Sequence, residues 1–112
     1  MIAEELISNV IPPLKTSDIV QKALERMSEF KLYHLPIVNE TQFLGLVSEE
    51  ELIEVRDQQL PIGSLSLSLL NPFVFKEAHI YDVIRLFNQL QLSLVPVLDV
   101  NKNYLGVVSI NN

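Results

Sequence analysis

The chain repeats itself. A shift of 60 residues lays Pro12 on Pro72, Ala23 on Val83, Leu24 on Ile84, Met27 on Phe87 and Phe30 on Leu90. The same shift carries Leu35-Pro36-Ile37-Val38 onto Val95-Pro96-Val97-Leu98. One extra residue in the second loop changes the offset to 61, and Phe43-Leu44-Gly45-Leu46-Val47-Ser48 then falls on Tyr104-Leu105-Gly106-Val107-Val108-Ser109. Self-similarity at a fixed period means two copies of one supersecondary unit. At 50–60 residues neither copy buries enough apolar surface to stand well alone, so the two are expected to pack on each other. The boundary falls between residues 1–60 and 61–112.

Each unit reads as strand, helix, strand, hairpin, strand. In the first, Ile19, Val20, Ala23, Leu24, Met27 and Phe30 recur every three to four residues, which places them on one helix face. Thr16, Ser17 or Asp18 is the expected cap. The second unit repeats the stripe with Ile80, Val83, Ile84, Phe87 and Leu90. Residues 35–38 and 43–47 are short, apolar and rich in branched side chains, as buried strands are. Pro36 and Pro96 are expected at strand starts or edges, where a missing N–H costs least. Residues 49–56 read as a further helix, its acids facing the positive N-terminal end. Residues 65–70 alternate strictly and residues 5–10 look more helical; both assignments stay open. The whole is an α/β fold: two pseudo-twofold related β-α-β-β-α units with small sheets packed together.

Composition removes several function classes. There is no cysteine, which excludes disulfide scaffolds, cysteine-based zinc sites and thiol catalysis. A net charge of −6 argues against nucleic acid as a partner, since phosphate binding needs clustered Lys and Arg. The charge is lopsided: residues 1–60 carry five Lys/Arg against eleven Asp/Glu, and residues 61–112 carry three of each. The opening residues lack the basic stretch and apolar run of a signal peptide, and no segment has the roughly 20 apolar residues of a membrane span. No membrane partner is expected, and the cytoplasm is the expected compartment.

The repeat resembles a tandem pair of CBS domains, the regulatory unit called a Bateman module. The resemblance rests on HLPIV at 34–38 followed by GLVSEEE at 45–51, and on LVPVL at 94–98 followed by GVVSINN at 106–112. It covers essentially the whole chain. It implies a regulatory module, not an enzyme, that binds an adenosyl ligand (AMP, ADP, ATP or S-adenosylmethionine) in clefts between the units and passes the change to an attached domain or partner. It also implies a homodimer. The other class of reading is a ligand-free dimerisation or interaction scaffold with degenerate nucleotide sites.

The resemblance assigns site residues. The first cleft would use Ser48 and Glu51 on the ribose, with Tyr33, His34, Leu35 and Pro36 beside the base and backbone near Ile11 and Leu14. The second would use Ser109 and Asn112, with Ser93, Leu94, Val95 and Pro96 beside the base and backbone near Phe73. A carboxylate accepts both ribose hydroxyl protons, and apolar walls take the purine face. Glu51 stands where the family has Asp, one methylene longer, and Asn112 keeps an acceptor while losing the charge. Lys15 and Lys76 are the expected phosphate-binding cations, with Arg85 a weaker one, but Glu49, Glu50 and Glu51 together oppose a polyphosphate. The first site is favoured, with an adenosyl compound of low charge. The second unit stops where its last helix should begin, so the chain is expected to continue or a partner to cover the exposed sheet.

Other residues have plainer roles. His34 and His79 occupy unrelated positions in the repeat, and surface or capping roles are expected. The acids 49–51 lack the alternation and glycine of a calcium loop, so no metal is expected. Ser48 and Ser109 lie in no nucleophile motif, and no catalytic residue is assigned. Gly45 and Gly106 read as hairpin exits where a side chain would clash. One of Tyr33, Phe73 or Phe75 is available to stack on a purine.

Overall fold

A computed structural model describes residues 1–110; Asn112, assigned above to the second cleft, lies outside them. The described elements are a 3-10 turn at Ala3–Leu6, α1 (Val20–Phe30), β1 (His34–Asn39), β2 (Gln42–Ser48) and α2 (Glu49–Leu52). A second 3-10 turn at Ile62–Ser64 leads to β3 (Val74–Phe75), α3 (Ile80–Leu90), β4 (Leu94–Leu98) and β5 (Tyr104–Ser109). Among the described residues, no helix is long and apolar enough to cross a membrane.

The repeat is reproduced down to its irregularities. α1 and α3 each run eleven residues and end on a left-handed residue, Lys31 and Gln91, sixty positions apart. The hairpins β1–β2 and β4–β5 are antiparallel, and their registers slip at equivalent points, Ile37/Val38 and Val97/Leu98. Leu14 lies parallel to β1 at Ile37, as β3 lies parallel to β4. Ser109 and Ser48 end the equivalent strands, and Glu49 N donates to Tyr33 O at 2.9 Å as Ile110 N donates to Ser93 O at 3.2 Å. Pro36 sits inside β1, not at its end. Its carbonyl accepts from Leu14 N, so its nitrogen faces that side, away from the β2 ladder, and no ladder bond is lost.

The two sheets pack together around Leu14, Leu35, Leu46, Val47, Leu94, Val95, Val97 and Val107, all fully buried. Equivalent hairpin positions meet at the pseudo-twofold axis. Phe43 stacks on Tyr104 with ring centroids 6.5 Å apart, Gln42 bridges Asn103, and Tyr104 N donates to Thr41 O.

The segments left open by the sequence turn out to be exchanged between units. Residues 65–70 form no helix and no strand of their own, and Leu70 makes a single bridge to Leu46 of β2 in the first sheet. Ser8, in the equivalent lead of the first unit, bridges Val107 of β5 in the second. The helix starts are closed by the segments at the ends of the first unit. Val20 N and Gln21 N donate to Leu60 O and Gln58 O, and Ile80 N donates to Met1 O. This explains why α1 has no side-chain cap. Its first donors are satisfied by the chain entering the other unit, and Asp18 caps the preceding turn at Lys15 N instead. His79 does cap α3, accepting from Tyr81 N at 3.1 Å.

The helix expected over 49–56 is one turn, Glu49–Leu52. Leu52 is buried and Val55 packs on the core, while Ile53 and Glu54 are exposed. Repulsion between Glu50 and Glu54, one turn apart, and β-branched Ile53 and Val55 work against a longer helix.

Candidate functional site

The first cleft forms where β1, β2 and α2 meet residues 65–70. His34 opens β1 and pairs with Ser48 at the end of β2, so the start of one strand and the end of the other lie side by side. Two adjoining hollows share His34, Ser48 and Glu50. One, of about 380 Å³, extends to Tyr33, Glu49 and Ile53; the other, of about 420 Å³, extends to Glu51, Glu54, Ser68 and Leu70. Their volumes fall within the range of small-molecule sites.

Four assigned residues are brought together here: Tyr33, His34, Ser48 and Glu51. The Tyr33 ring is 65% exposed and free to lie against a planar group. Its backbone N–H donates to Ser93 Oγ at 3.0 Å, and the same hydroxyl is 3.2 Å from His34 Nδ1. Ser93 is the repeat equivalent of Tyr33, so the cleft floor joins the two units. Burial lowers the His34 pKa below its ordinary 6.5, which favours the neutral ring. Ser48 Oγ caps α2 by accepting from Glu51 N at 3.3 Å.

The Glu51 carboxylate is already engaged. Its Oε2 and Oε1 lie 2.9 and 3.2 Å from Ser68 N, which donates to it. A carboxylate expected on a ribose diol thus holds the exchanged segment in place. Ser68 and Leu70 had no signal as site residues. The alternation of residues 65–70 shows that Ser66 and Ser68 share a face, but not which sheet that face meets.

Other assigned residues lie elsewhere. Leu14, Leu35 and Leu94 are fully buried, and Ile11, Pro36 and Pro96 are buried too. Their side chains support the sheets rather than line the first cleft. Lys15 borders a separate cavity at the other end of β1, with Val38, Asn39 and Glu40. Lys76 pairs with Glu4 at 3.9 Å, and Arg85 with Asp82 at 3.4 Å. Phe73 makes an edge contact with Phe75 at 5.5 Å and lies under Lys102, 6.0 Å from its ring centroid. Ser109 is buried beside an apolar hollow of about 300 Å³ that includes Leu6, Val83, Ile84, Phe87 and Ile110. Among the described residues, no group of three His, Asp or Glu side chains is arranged to hold a metal.

The electrostatics follow from this placement. The first cleft is lined by Glu49, Glu50, Glu51 and Glu54, with no Lys or Arg on its walls. It can accept hydroxyl protons, but it repels a chain of phosphates.

Comparison with known proteins agrees with the architecture. The family model of the CBS domain matches residues 3–57 and 70–112. A CBS domain pair/ACT domain protein from Thermotoga maritima superimposes with a TM-score of 0.86 at 25% identity, over 99% of this chain and 91% of that one. The CBS domains of a transcriptional regulator from Streptococcus pneumoniae give 0.84 at 20% identity, over 99% and 94%. The protein CBSX2, solved in complex with AMP, gives 0.78 at 20% identity, over 98% and 90%. No curated protein matched the sequence. With two matched segments, two repeat-related hairpins and the pair architecture in agreement, the chain belongs to the CBS domain family, as a tandem pair of the regulatory type.

Proposed function

We propose that this chain is a cytoplasmic sensor that takes an adenosyl compound of low negative charge into the first cleft. The observation that carries this reading is the wall composition. Ser48, Glu51, His34 and Tyr33 converge on hollows whose remaining charged residues are Glu49, Glu50 and Glu54. Ribose hydroxyls donate to Glu51, the purine lies against Tyr33, and the acids discriminate against di- and triphosphates. The AMP held by a protein of the same fold supports the adenosyl class. A second, weaker site would draw on Ser109 at the end of β5.

Transmission runs through Glu51. A ribose diol competes with Ser68 N for the carboxylate, and a ligand that wins frees residues 65–70 from α2. Because that segment links the units, binding favours a different unit arrangement in an attached domain or homodimer partner. The coupling is no larger than the ligand's differential affinity for the two arrangements.

Isothermal titration with adenosine, S-adenosylmethionine, AMP and ATP tests this. Adenosine and S-adenosylmethionine should bind more tightly than AMP, and ATP most weakly. Combining Glu50→Gln with Glu54→Gln should narrow the gap between ATP and adenosine by about tenfold, a change of about 1.4 kcal/mol. ATP as the tightest ligand, or no saturable binding by any of the four, contradicts the proposal. The second reading, a ligand-free dimerisation scaffold, is favoured by the bond that already engages Glu51. It expects no binding heat and a dimer by sedimentation.

A further inference from the structure

A second cavity, of about 660 Å³, lies at the opposite end of the first sheet. His34 pairs with Ser48 at one end of β1 and Asn39 with Gln42 at the other. Five residues of strand separate the two ends by about 16 Å. The cavity and the adenosyl cleft share no lining residue.

Its charge is the reverse of the cleft's. Three of the five Lys/Arg in residues 1–60 border it, namely Lys15, Lys22 and Arg26, against the acids Asp18 and Glu40. Asp18 is occupied: its Oδ1 accepts from Lys22 Nζ at 3.1 Å and its Oδ2 from Lys15 N at 2.8 Å. Burial raises the Asp18 pKa, but the Lys15 N–H, Lys22 and Arg26 outweigh it and lower the net value. Arg26 is anchored by one terminal nitrogen, which donates to Pro12 O at 3.4 Å and Pro13 O at 3.1 Å. Its other N–H groups remain to be used. No ion pair holds the Lys15 ammonium among the described residues.

The shared fold does not require these cations. At the equivalent positions of the second unit stand Phe75, Asp82 and Leu86. The second unit's cation in this region, Lys76, is instead paired with Glu4 at 3.9 Å, so the cluster of three cations is particular to the first unit. Thr16 and Ser17, both bearing hydroxyls, also line the same space.

We propose that this cavity is a second ligand site, selective for a small organic anion carrying a carboxylate or phosphoryl group. Lys15 and Arg26 neutralise the anion, and the Thr16–Ser17 loop donates to its oxygens. The site is independent of adenosyl binding, so the module reads two chemically different signals at the two ends of one hairpin.

The test is a two-dimensional amide NMR titration of the full chain with inorganic phosphate and with malonate, at constant ionic strength. Saturable shifts should centre on residues 15–18 and 38–40 and leave Ser48 and Ser68 unmoved. The stronger of the two probes identifies the anion class. Lys15→Glu reverses a charge without breaking a contact, and it should weaken binding at least tenfold with an otherwise unchanged spectrum. Shifts that stay linear in probe concentration, that centre on Ser48, or that persist unchanged in Lys15→Glu overturn the proposal.

Discussion

The two units share one backbone plan and differ in what they bury and what charge they present. In the first, α2 lays Leu52 over the core beside α1, and Leu52 is 0% exposed. In the second, among the described residues, Ile84 on α3 is 44% exposed and Ile110, just past β5, is 61% exposed. The first cleft is ringed by acids, whereas Ser109 adjoins an apolar hollow. A few positions therefore fix the frame: the prolines of β1 and β4, the glycines of β2 and β5, and the left-handed helix ends. The remaining positions are free to diverge, and there the units acquire separate chemistry.

That comparison can be broken at several points. The largest effect is expected where one unit is covered and the other is not. Leu52→Ala should cost about 2–4 kcal/mol by urea denaturation, and Ile84→Ala less than about 1 kcal/mol. Equal losses would mean that α3 is covered in solution.

The glycines give the next difference. Gly45 has φ 146° and Gly106 φ 154°, a backbone that side chains disfavour. A Cβ at Gly45 would meet Leu69 Cβ at 2.8 Å and Leu70 O at 3.0 Å, while one at Gly106 would meet a methyl of Ile7 at 2.6 Å. The backbone carbonyl beside Gly45 cannot swing aside as a side chain can. Gly45→Ala should therefore cost about 2–3 kcal/mol and exceed Gly106→Ala.

These glycines also show where sequence reading stops. Their repeat spacing, with the two Leu/Val-Pro strands, was enough to establish the pair fold, and Tyr33, His34, Ser48 and Glu51 do converge. The crossing of each lead segment into the other unit was not legible. An alternating stretch such as residues 65–70 specifies a two-faced strand but not its neighbour. For the same reason the Glu51–Ser68 bond was invisible, since its two partners lie on segments with no shared pattern. The place of Lys15 depended on the direction of one parallel bridge, Leu14 to Ile37, which sends the next residue away from Ser48.

Smaller effects concern polar groups at the junction of the units. His34 has its pKa lowered by burial, so the folded chain binds its proton less readily than the unfolded one. Its contribution to stability is present above the unfolded value of 6.5 and is lost as pH falls through the folded value. His34→Gln should flatten the pH dependence of the melting temperature below neutrality, and an unchanged slope would remove His34 as its source. Tyr104 carries the smallest expected effect. Its hydroxyl is buried without a partner among the described residues, and burial pushes the phenol's pKa well up. Tyr104→Phe should be neutral or stabilising by up to about 1 kcal/mol, since it removes a desolvated donor while keeping the ring stacked on Phe43. A loss of stability would show that the hydroxyl is satisfied.

The central claim is that Glu51 exchanges one partner for another, releasing the segment between the units when a ribose diol arrives. Hydrogen exchange at the Ser68 amide, with and without saturating adenosine, measures this directly, and the Ser8 amide on Val107 O serves as an internal reference. The account predicts faster exchange at Ser68 in the presence of adenosine and no change at Ser8. Unchanged or slower exchange at Ser68 under saturating ligand would contradict it.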